Sequence, residues 1–126
     1  MSTHNFKNLN VWIKSRALIK EVYQLVETFP NDELYGLSSQ IKRSAISIPS
    51  NIAEGSGRGS DKDFERFLRI ALGSSFELQT QLIISEKLGI IGNEDFDNTN
   101  NSIEELKKMI WGFKKSLTGK SVSLTS

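Results

Sequence analysis

The stretch QIKRSAISIPSNIAEG (residues 40–55), followed by SGRGS (56–60) and DKDFERFLRIALGSSFELQTQL (61–82), decides the fold of this chain. On both sides of the glycine-rich break, apolar residues recur at spacings of three and four, the period of an α-helix that buries one face. Two such patterns joined by a short loop predict a helical hairpin. The apolar stripes are Leu37, Ile41, Ala45, Ile48 and Ile52 in the first helix, and Phe64, Phe67, Leu68, Ala71, Leu78 and Leu82 in the second.

A second stripe, small and polar, lies beside the apolar one in the first helix of the hairpin. It is too regular for a plain solvated face and too polar for a simple core, so we expect it to pack against a surface that offers hydrogen bonds. With one carboxylate from the following helix, it forms a predicted structural polar stripe. Its members are Gln40, Ser44, Ser47, Asn51, Glu54 and Glu77.

Proline and glycine residues indicate where the helices of this hairpin bend or end. Pro49 lies inside the first helical pattern, where it removes a backbone donor, and it therefore predicts a kink and not a second loop. Gly55, Gly57 and Gly59 predict the helix end, because glycine adopts left-handed backbone at little cost. Ser60, followed three residues later by an acidic side chain, predicts the cap of the next helix.

The rest of the chain extends this hairpin to an all-α fold. We predict helices over about 8–29, 33–55, 60–88 and 94–117, with residues 1–5 and 118–126 loose. Four helices with short connections predict an antiparallel up-down four-helix bundle, and 126 residues are enough for a single domain over 1–126. The last helix has the cleanest apolar stripe: Ile103, Leu106, Ile110, Phe113 and Leu117.

The first helix carries two apolar stripes, although a helix in a monomeric bundle needs only one. One interpretation is a wide core-facing arc, and the other is that the second stripe meets a neighbouring subunit, which would make the protein a homo-oligomer. The stripes are Val11, Leu18, Val22, Leu25 and Phe29, and Leu9, Trp12, Ile19, Tyr23 and Val26.

Composition limits the possible functions. No apolar run is long enough to cross a bilayer, and the chain has no cysteine for disulfide or thiolate chemistry. No secretory signal pattern begins the sequence, so we expect a cytoplasmic protein of bacterial type with no membrane partner. A net charge of +1 gives no global argument for nucleic acid, which would have to bind a local basic patch.

Candidates for catalysis are few. His4 is the only histidine and lies in the expected loose end, which argues against histidine chemistry and a di-iron site. Glu54 and Glu77 are the carboxylates that we expect to be buried, paired with an arginine of the hairpin (Arg43, Arg66 or Arg69). The segment GSGRGS lacks the preceding strand and the lysine of a phosphate-binding loop. We therefore predict no enzymatic activity, cofactor, metal or small-molecule substrate.

A basic face on the third helix is the remaining signal. Lys62, Arg66 and Arg69 follow one another at spacings of four and three, opposite the apolar stripe. Lys42, Arg43 and Arg58 of the preceding segment extend this predicted nucleic-acid-binding set. The alternative is an ordinary solvated face, balanced by the neighbouring acidic residues Asp61, Asp63 and Glu65.

The successive motifs FKNLNVW, FPNDELYGLSSQIKRSAISIPSNIAEGSGR and DFERFLRIALGSSFELQTQL resemble the four-helix bundle proteins encoded in intervening sequences of bacterial 23S ribosomal RNA genes. The most specific motif is SIPSNIAEG, Ser47 to Gly55. The resemblance implies a ring-like homo-oligomer, typically a pentamer, with RNA or a nucleoprotein enzyme as partner; one relative is the accessory protein of the reverse transcriptase in diversity-generating retroelements. It implies no catalytic residue.

We therefore expect a non-enzymatic homo-oligomeric binding or accessory module for RNA or a ribonucleoprotein. The alternative is a purely structural scaffold that contacts only proteins and makes no direct contact with nucleic acid. Salt-dependent binding of RNA would separate the two, because phosphate contacts weaken steeply with salt.

Overall fold

The computed structural model describes residues 5–33 and 36–125, with side chains described as far as residue 118. Its four helices are α1 (Asn10–Val26), α2 (Leu37–Ser56), α3 (Asp61–Lys87) and α4 (Asn93–Thr125). Short 3-10 turns over Phe6–Asn8 and Asn31–Glu33 precede α1 and α2. Within the described ranges the chain is all-α and has no strand, as predicted.

The helices pack as a bundle in which each touches two others. The α2–α3 contact is the most extensive, α3 also packs on α4, and α1 contacts both α2 and α4. Along α2 and α3, Ser44 meets Gln81, whereas Gly55 lies beside Phe64, so the contacting residue numbers fall along α3 as they rise along α2. The α2–α3 hairpin is therefore the part of the fold that positions the other two helices.

The predicted apolar stripes form the core. Every α3 stripe residue is buried, and so are Ile41, Ala45, Ile48 and Ile52 of α2. Burying an aliphatic side chain of this size contributes roughly 1.5–3 kcal/mol relative to exposure. From α4, Ile103, Leu106, Ile110 and Leu117 are buried, while Phe113 packs at the edge of the core and touches Phe64 edge-to-face.

Both stripes of α1 pack within the chain. Val11, Leu18, Val22 and Leu25 are buried, and Val26 of the second stripe is buried as well. Leu9, Trp12 and Ile19 are partly buried against the core. This packing supports the interpretation of α1 as a wide core-facing arc and leaves little of its second stripe for a neighbouring subunit.

Helix boundaries differ from the prediction at three places. Helix α1 ends at Val26 and not near 29, because Thr28 and Phe29 turn back onto the Leu25 and Val26 carbonyls. Helix α2 begins at Leu37, since 31–33 form a separate turn. The expectation of a loose tail from 118 was wrong, because α4 continues to Thr125. Residues 1–4 of the expected loose start lie outside the described part.

The three glycines at the end of α2 differ in their structural roles. The prediction that all three end the helix in left-handed backbone was wrong, because only Gly59 has a positive φ (85°), whereas Gly57 has φ −93°. Gly55 lies inside α2, where an added Cβ would come within 2.7 Å of Phe67 Cβ and 2.9 Å of Phe64 Cδ1. Gly55 therefore lets α2 approach α3 closely, and only Gly59 shapes the loop.

The start of α3 is capped as predicted, since Ser60 Oγ accepts a hydrogen bond from the Asp63 backbone N–H at 3.1 Å. Pro49 lies inside the continuous helix α2 and is buried, and the kink there stays a prediction.

Candidate functional site

The polar stripe of α2 packs against α3 of the same chain. Ser44 Oγ lies 3.0 Å from each of three acceptors, the Gln40 carbonyl, Glu77 Oε1 and Gln81 Oε1. One hydroxyl hydrogen can serve only one acceptor at a time. Rotating the Gln81 amide would let its NH₂ donate to Ser44 Oγ while Ser44 donates to Glu77. The hydrogen-bonding surface expected opposite this stripe is therefore the neighbouring helix.

One turn further along, Ser47 and Ser74 hydroxyls lie 2.8 Å apart, and Asn51 donates to the Ser47 carbonyl at 2.8 Å. These small side chains fill the outer edge of the α2–α3 contact with hydrogen bonds where larger ones would hold the helices apart. Above them lies an open groove of about 520 Å³, which Arg43 and Glu77 also line.

The predicted burial of Glu54 and Glu77 was wrong. Both side chains are exposed: Glu54 pairs with Arg58 one turn ahead at 3.0 Å, and Glu77 takes Ser44 as its partner. Spacing placed both carboxylates beside the apolar stripe, but the flank of a helix opens to solvent wherever the neighbouring helix curves away. Neither glutamate is in the environment of a general acid or base.

Two of the predicted basic residues pack against the Phe67 ring. The guanidinium carbons of Arg58 and Arg66 lie 4.8 and 4.5 Å from the centroid of the Phe67 ring, within the range of cation–π attraction. Arg58 belongs to the connection between α2 and α3, whereas Arg66 belongs to α3. Lys62 is exposed one turn before Arg66 on the same helix. We call Arg58, Lys62 and Arg66 the Phe67 basic cluster.

The other three basic residues point elsewhere. Lys42 turns toward α1, with its ammonium 5.0 Å from the Tyr23 ring centroid. Arg43 lines the α2–α3 groove. Arg69 leans 3.8 Å from Glu65, which also pairs with Lys114 of α4 at 3.3 Å. The structure therefore divides the predicted basic set into one cluster and three separate cations.

Acidic neighbours balance part of the Phe67 basic cluster. Glu54 lies 3.0 Å from Arg58, and Asp63 lies 3.9 Å from Arg66, both between side chains about half exposed. Exposed pairs of this kind contribute about 0–1 kcal/mol, so an incoming anion can replace them at small cost.

Apolar residues on the outer surface of α3 and α4 were missed in the sequence. Large exposed side chains include Ile70, Phe76, Ile83, Ile84 and Leu88 on α3, and Trp111 on α4. The signal was available, because these residues fall outside the apolar stripes of their helices. Gly73 is exposed on α3 between Ile70 and Ile84, and among the described residues no atom would come within 4 Å of a Cβ added there.

A polar network links α3 to α4 under this surface. Lys107 Nζ donates to Gln79 Oε1 at 2.8 Å and lies 2.7 Å from Glu104 Oε1. The hydrogen bond from Lys107, helped by its positive charge, holds the pKa of Glu104 below the ordinary value.

No group of histidine, cysteine and acidic side chains within 5–33 and 36–118 is arranged to hold a metal ion. His4 lies outside the described residues. Among the described helices, none combines the length and the apolar character that crossing a bilayer requires.

Comparisons with known proteins complete this description. Residues 7–112 match the model of a family described as 23S rRNA-intervening sequence protein. A similar solved structure is that of a protein with unknown function from the S23 ribosomal protein family of Bacteroides thetaiotaomicron VPI-5482, with 29% identity and a TM-score of 0.78. The similarity covers 83% of this chain and 98% of that one. No curated protein matches the chain.

Proposed function

This chain belongs to the 23S rRNA-intervening sequence protein family, and we propose that it is a non-enzymatic, homo-oligomeric module that binds RNA or a ribonucleoprotein. The match confirms the resemblance indicated by SIPSNIAEG. The name of the matching family supports an RNA partner. The name of the ribosomal protein family to which the similar structure belongs supports it as well. The observation that carries the proposal is the Phe67 basic cluster.

The cluster suits phosphate because of how its arginines are held. A guanidinium presents several N–H donors in one plane, which match the oxygens of a phosphate. The Phe67 ring restrains Arg58 and Arg66, so less side-chain freedom is lost when they bind. Lys62 adds a flexible positive charge beside them. Contacts of this type recognise the backbone and not the base sequence.

The outer face of α3 supports assembly. Ile70, Gly73 and Ile84 follow helical spacing on that face, and we call them the outer α3 stripe. Ile70 and Ile84 are 42% and 43% exposed. Glycine inside a helix costs about 1 kcal/mol relative to alanine, and no described residue of the chain uses the space at Gly73. A second subunit that packs closely there would use it.

We also propose the finer architecture that the sequence predicted. The helices run antiparallel, up and down, with α2 kinked at Pro49, and the subunits form a ring, a pentamer as the resemblance implies, in the bacterial cytoplasm. The falling register of α3 contacts along α2 supports the antiparallel arrangement. A ring would repeat the Phe67 basic cluster on every subunit, so contacts that are weak singly would act together.

The test is a mobility shift of labelled 23S ribosomal RNA fragments. We expect binding that falls steeply between about 50 and 200 mM salt and that differs little between fragments of unrelated sequence. A complete lack of shift at low salt would contradict the proposal. It would favour the protein-only scaffold, for which the outer α3 stripe is the specific support.

A further inference from the structure

A shallow groove between α3 and α4 presents two aromatic rings to solvent. Phe76 and Trp111 are 53% and 52% exposed, and with Leu72 they line a groove of about 250 Å³. Glu104, Lys107 and Lys108 complete its walls. We call this set the α3–α4 aromatic groove. Large aromatic side chains this exposed are uncommon without a partner, because each leaves much apolar area in water.

We propose that the α3–α4 aromatic groove binds unpaired bases of single-stranded RNA, which stack on Phe76 and Trp111. The inference rests on the proposed function, because it assumes an RNA partner. It assigns a second site, separate from the Phe67 basic cluster, and a class of ligand: exposed bases and not duplex backbone.

The lysines around the rings favour a nucleic acid over a second protein subunit. Lys107 Nζ lies 4.5 Å from the Phe76 ring centroid, and Lys115 Nζ lies 4.9 Å from that of Trp111. The centre of a protein–protein interface is usually depleted of charged residues, so the lysines gathered around the two rings (Lys107, Lys108 and Lys115) disfavour a second subunit as the occupant of this groove. A single strand of RNA complements both kinds of residue, because its bases can cover the aromatic rings while its phosphates reach the lysines.

The groove is also held in place before any ligand arrives. Lys107 is fixed by Gln79 at 2.8 Å and by Glu104 at 2.7 Å, so its position over Phe76 is set by a network that joins α3 to α4. Glu104 is the one acidic residue that lines the groove. It restrains Lys107 but also repels phosphate, and its removal should therefore strengthen binding.

Tryptophan fluorescence gives a direct test. The chain has two tryptophans, Trp12 and Trp111, so Trp12→Phe leaves Trp111 as the only indole. Titrating this full-length variant with oligouridylate should quench Trp111 emission, because uracil rings stack on the indole. An RNA duplex of the same length, which offers no free bases, should bind without that quenching.

Substitutions then test which residues are responsible. Phe76→Ala should weaken oligouridylate binding at least about 5-fold, the factor that corresponds to roughly 1 kcal/mol for one stacked base. Duplex binding should be unchanged. Ile13→Ala, which removes an exposed apolar side chain from α1, is the matched control. It should change neither the binding of oligouridylate nor the binding of duplex RNA. Glu104→Gln should tighten oligouridylate binding.

The outcomes separate this inference from the proposed function. If neither duplex nor single strand binds, both fail. If duplex binds while oligouridylate leaves Trp111 emission and Phe76→Ala affinity unchanged, only the base-binding groove is wrong. If Phe76→Ala lowers the oligomer mass in light scattering, a second copy of the chain covers the groove and the inference is overturned.

Discussion

The hydroxyl oxygens of Ser47 and Ser74 lie 2.8 Å apart across the contact between α2 and α3. Two small polar side chains that face each other let the helices come close without leaving a buried polar group unpaired, because each hydroxyl can donate to or accept from the other. The pair explains why the polar stripe of α2 is both small and regularly spaced.

Ser47→Leu should destabilise the fold by roughly 1–3 kcal/mol, because leucine overfills the space opposite Ser74. Helix content should hold, since leucine is the better helix former. Thermal denaturation monitored by circular dichroism measures both the stability and the helix content. Ser50→Leu, at an exposed position of the same helix, is the control. Equal melting temperatures in the two variants would mean that Ser47 is merely solvated.

Gly55→Ala should also destabilise, by roughly 1–2 kcal/mol, although alanine has the higher helix propensity. The added methyl would lie 2.7 Å from Phe67 Cβ, which cannot move aside without moving α3. Gly112→Ala is the matched control, because no atom lies within 4 Å of a Cβ there, and it should stabilise by up to about 1 kcal/mol. Chemical denaturation compares the variants, and a stabilised Gly55→Ala protein would disprove the close approach.

Gly73→Leu should reduce the oligomer mass while each subunit stays folded. In the described part of the chain nothing occupies the space at Gly73, so we expect leucine there to clash with another subunit and not with its own. Light scattering should give several times the 14.2 kDa chain mass for the unmodified protein and less for the variant. Gly112→Leu serves for comparison. A monomeric unmodified protein would rule out assembly, and an unchanged mass in Gly73→Leu would exclude the outer α3 stripe as the interface.

Replacing Lys62 and Arg66 together by glutamine should weaken binding of duplex RNA and lower the steepness of its salt dependence by about one unit per lost phosphate contact. Oligomer mass should not change, because both side chains are exposed. Lys20→Gln, an exposed cation on α1, is the control for a general loss of charge. Equal binding by the double variant and the control would remove the Phe67 basic cluster from the proposal.

Acid should weaken the pairing of Glu104 with Lys107 on α4, and with it the support that Lys107 receives for its hydrogen bond to Gln79 of α3. The pKa of Glu104 is lower in the folded chain than its ordinary 4.5, so its interaction with Lys107 contributes fully above about pH 4.5 and is lost as the pH falls through the lower folded value. Glu104→Gln should therefore flatten the decline in melting temperature on the acid side. Lys107→Gln should flatten it similarly, and parallel declines in all three proteins would contradict this role.

Periodicity predicted the core because burial on a helix follows angle, and Ile48, Leu68 and Ile110 fall at the centre of their stripes. The cap at Ser60 followed from local chemistry alone. The same reasoning failed at the stripe edges: whether Glu54 or Glu77 is buried depends on how closely the next helix approaches, and the spacing of residues along one helix does not contain that information.

The basic set shows the same limit. Spacing placed Lys62 and Arg66 on one face, and the structure agrees that both are exposed on α3. The spacing of residues could not show that Lys42 would turn toward Tyr23 or that Arg58 would meet Arg66 at Phe67. These arrangements depend on contacts between different helices. Phe76 and Trp111 were missed because both lie outside the apolar stripes that core periodicity marks.

Because α2 and α3 approach closely at Gly55, the side chains at positions 55, 64 and 67 compete for the same space. Phe64 and Phe67 fill the space that a side chain at 55 would need. The nearest atom is Phe67 Cβ, which every residue except glycine carries, so a side chain at 55 fits only if α2 and α3 move apart or residue 67 becomes glycine as well. The ring at 64 adds to the constraint, so the effect of a substitution at 55 depends on which residues occupy 64 and 67.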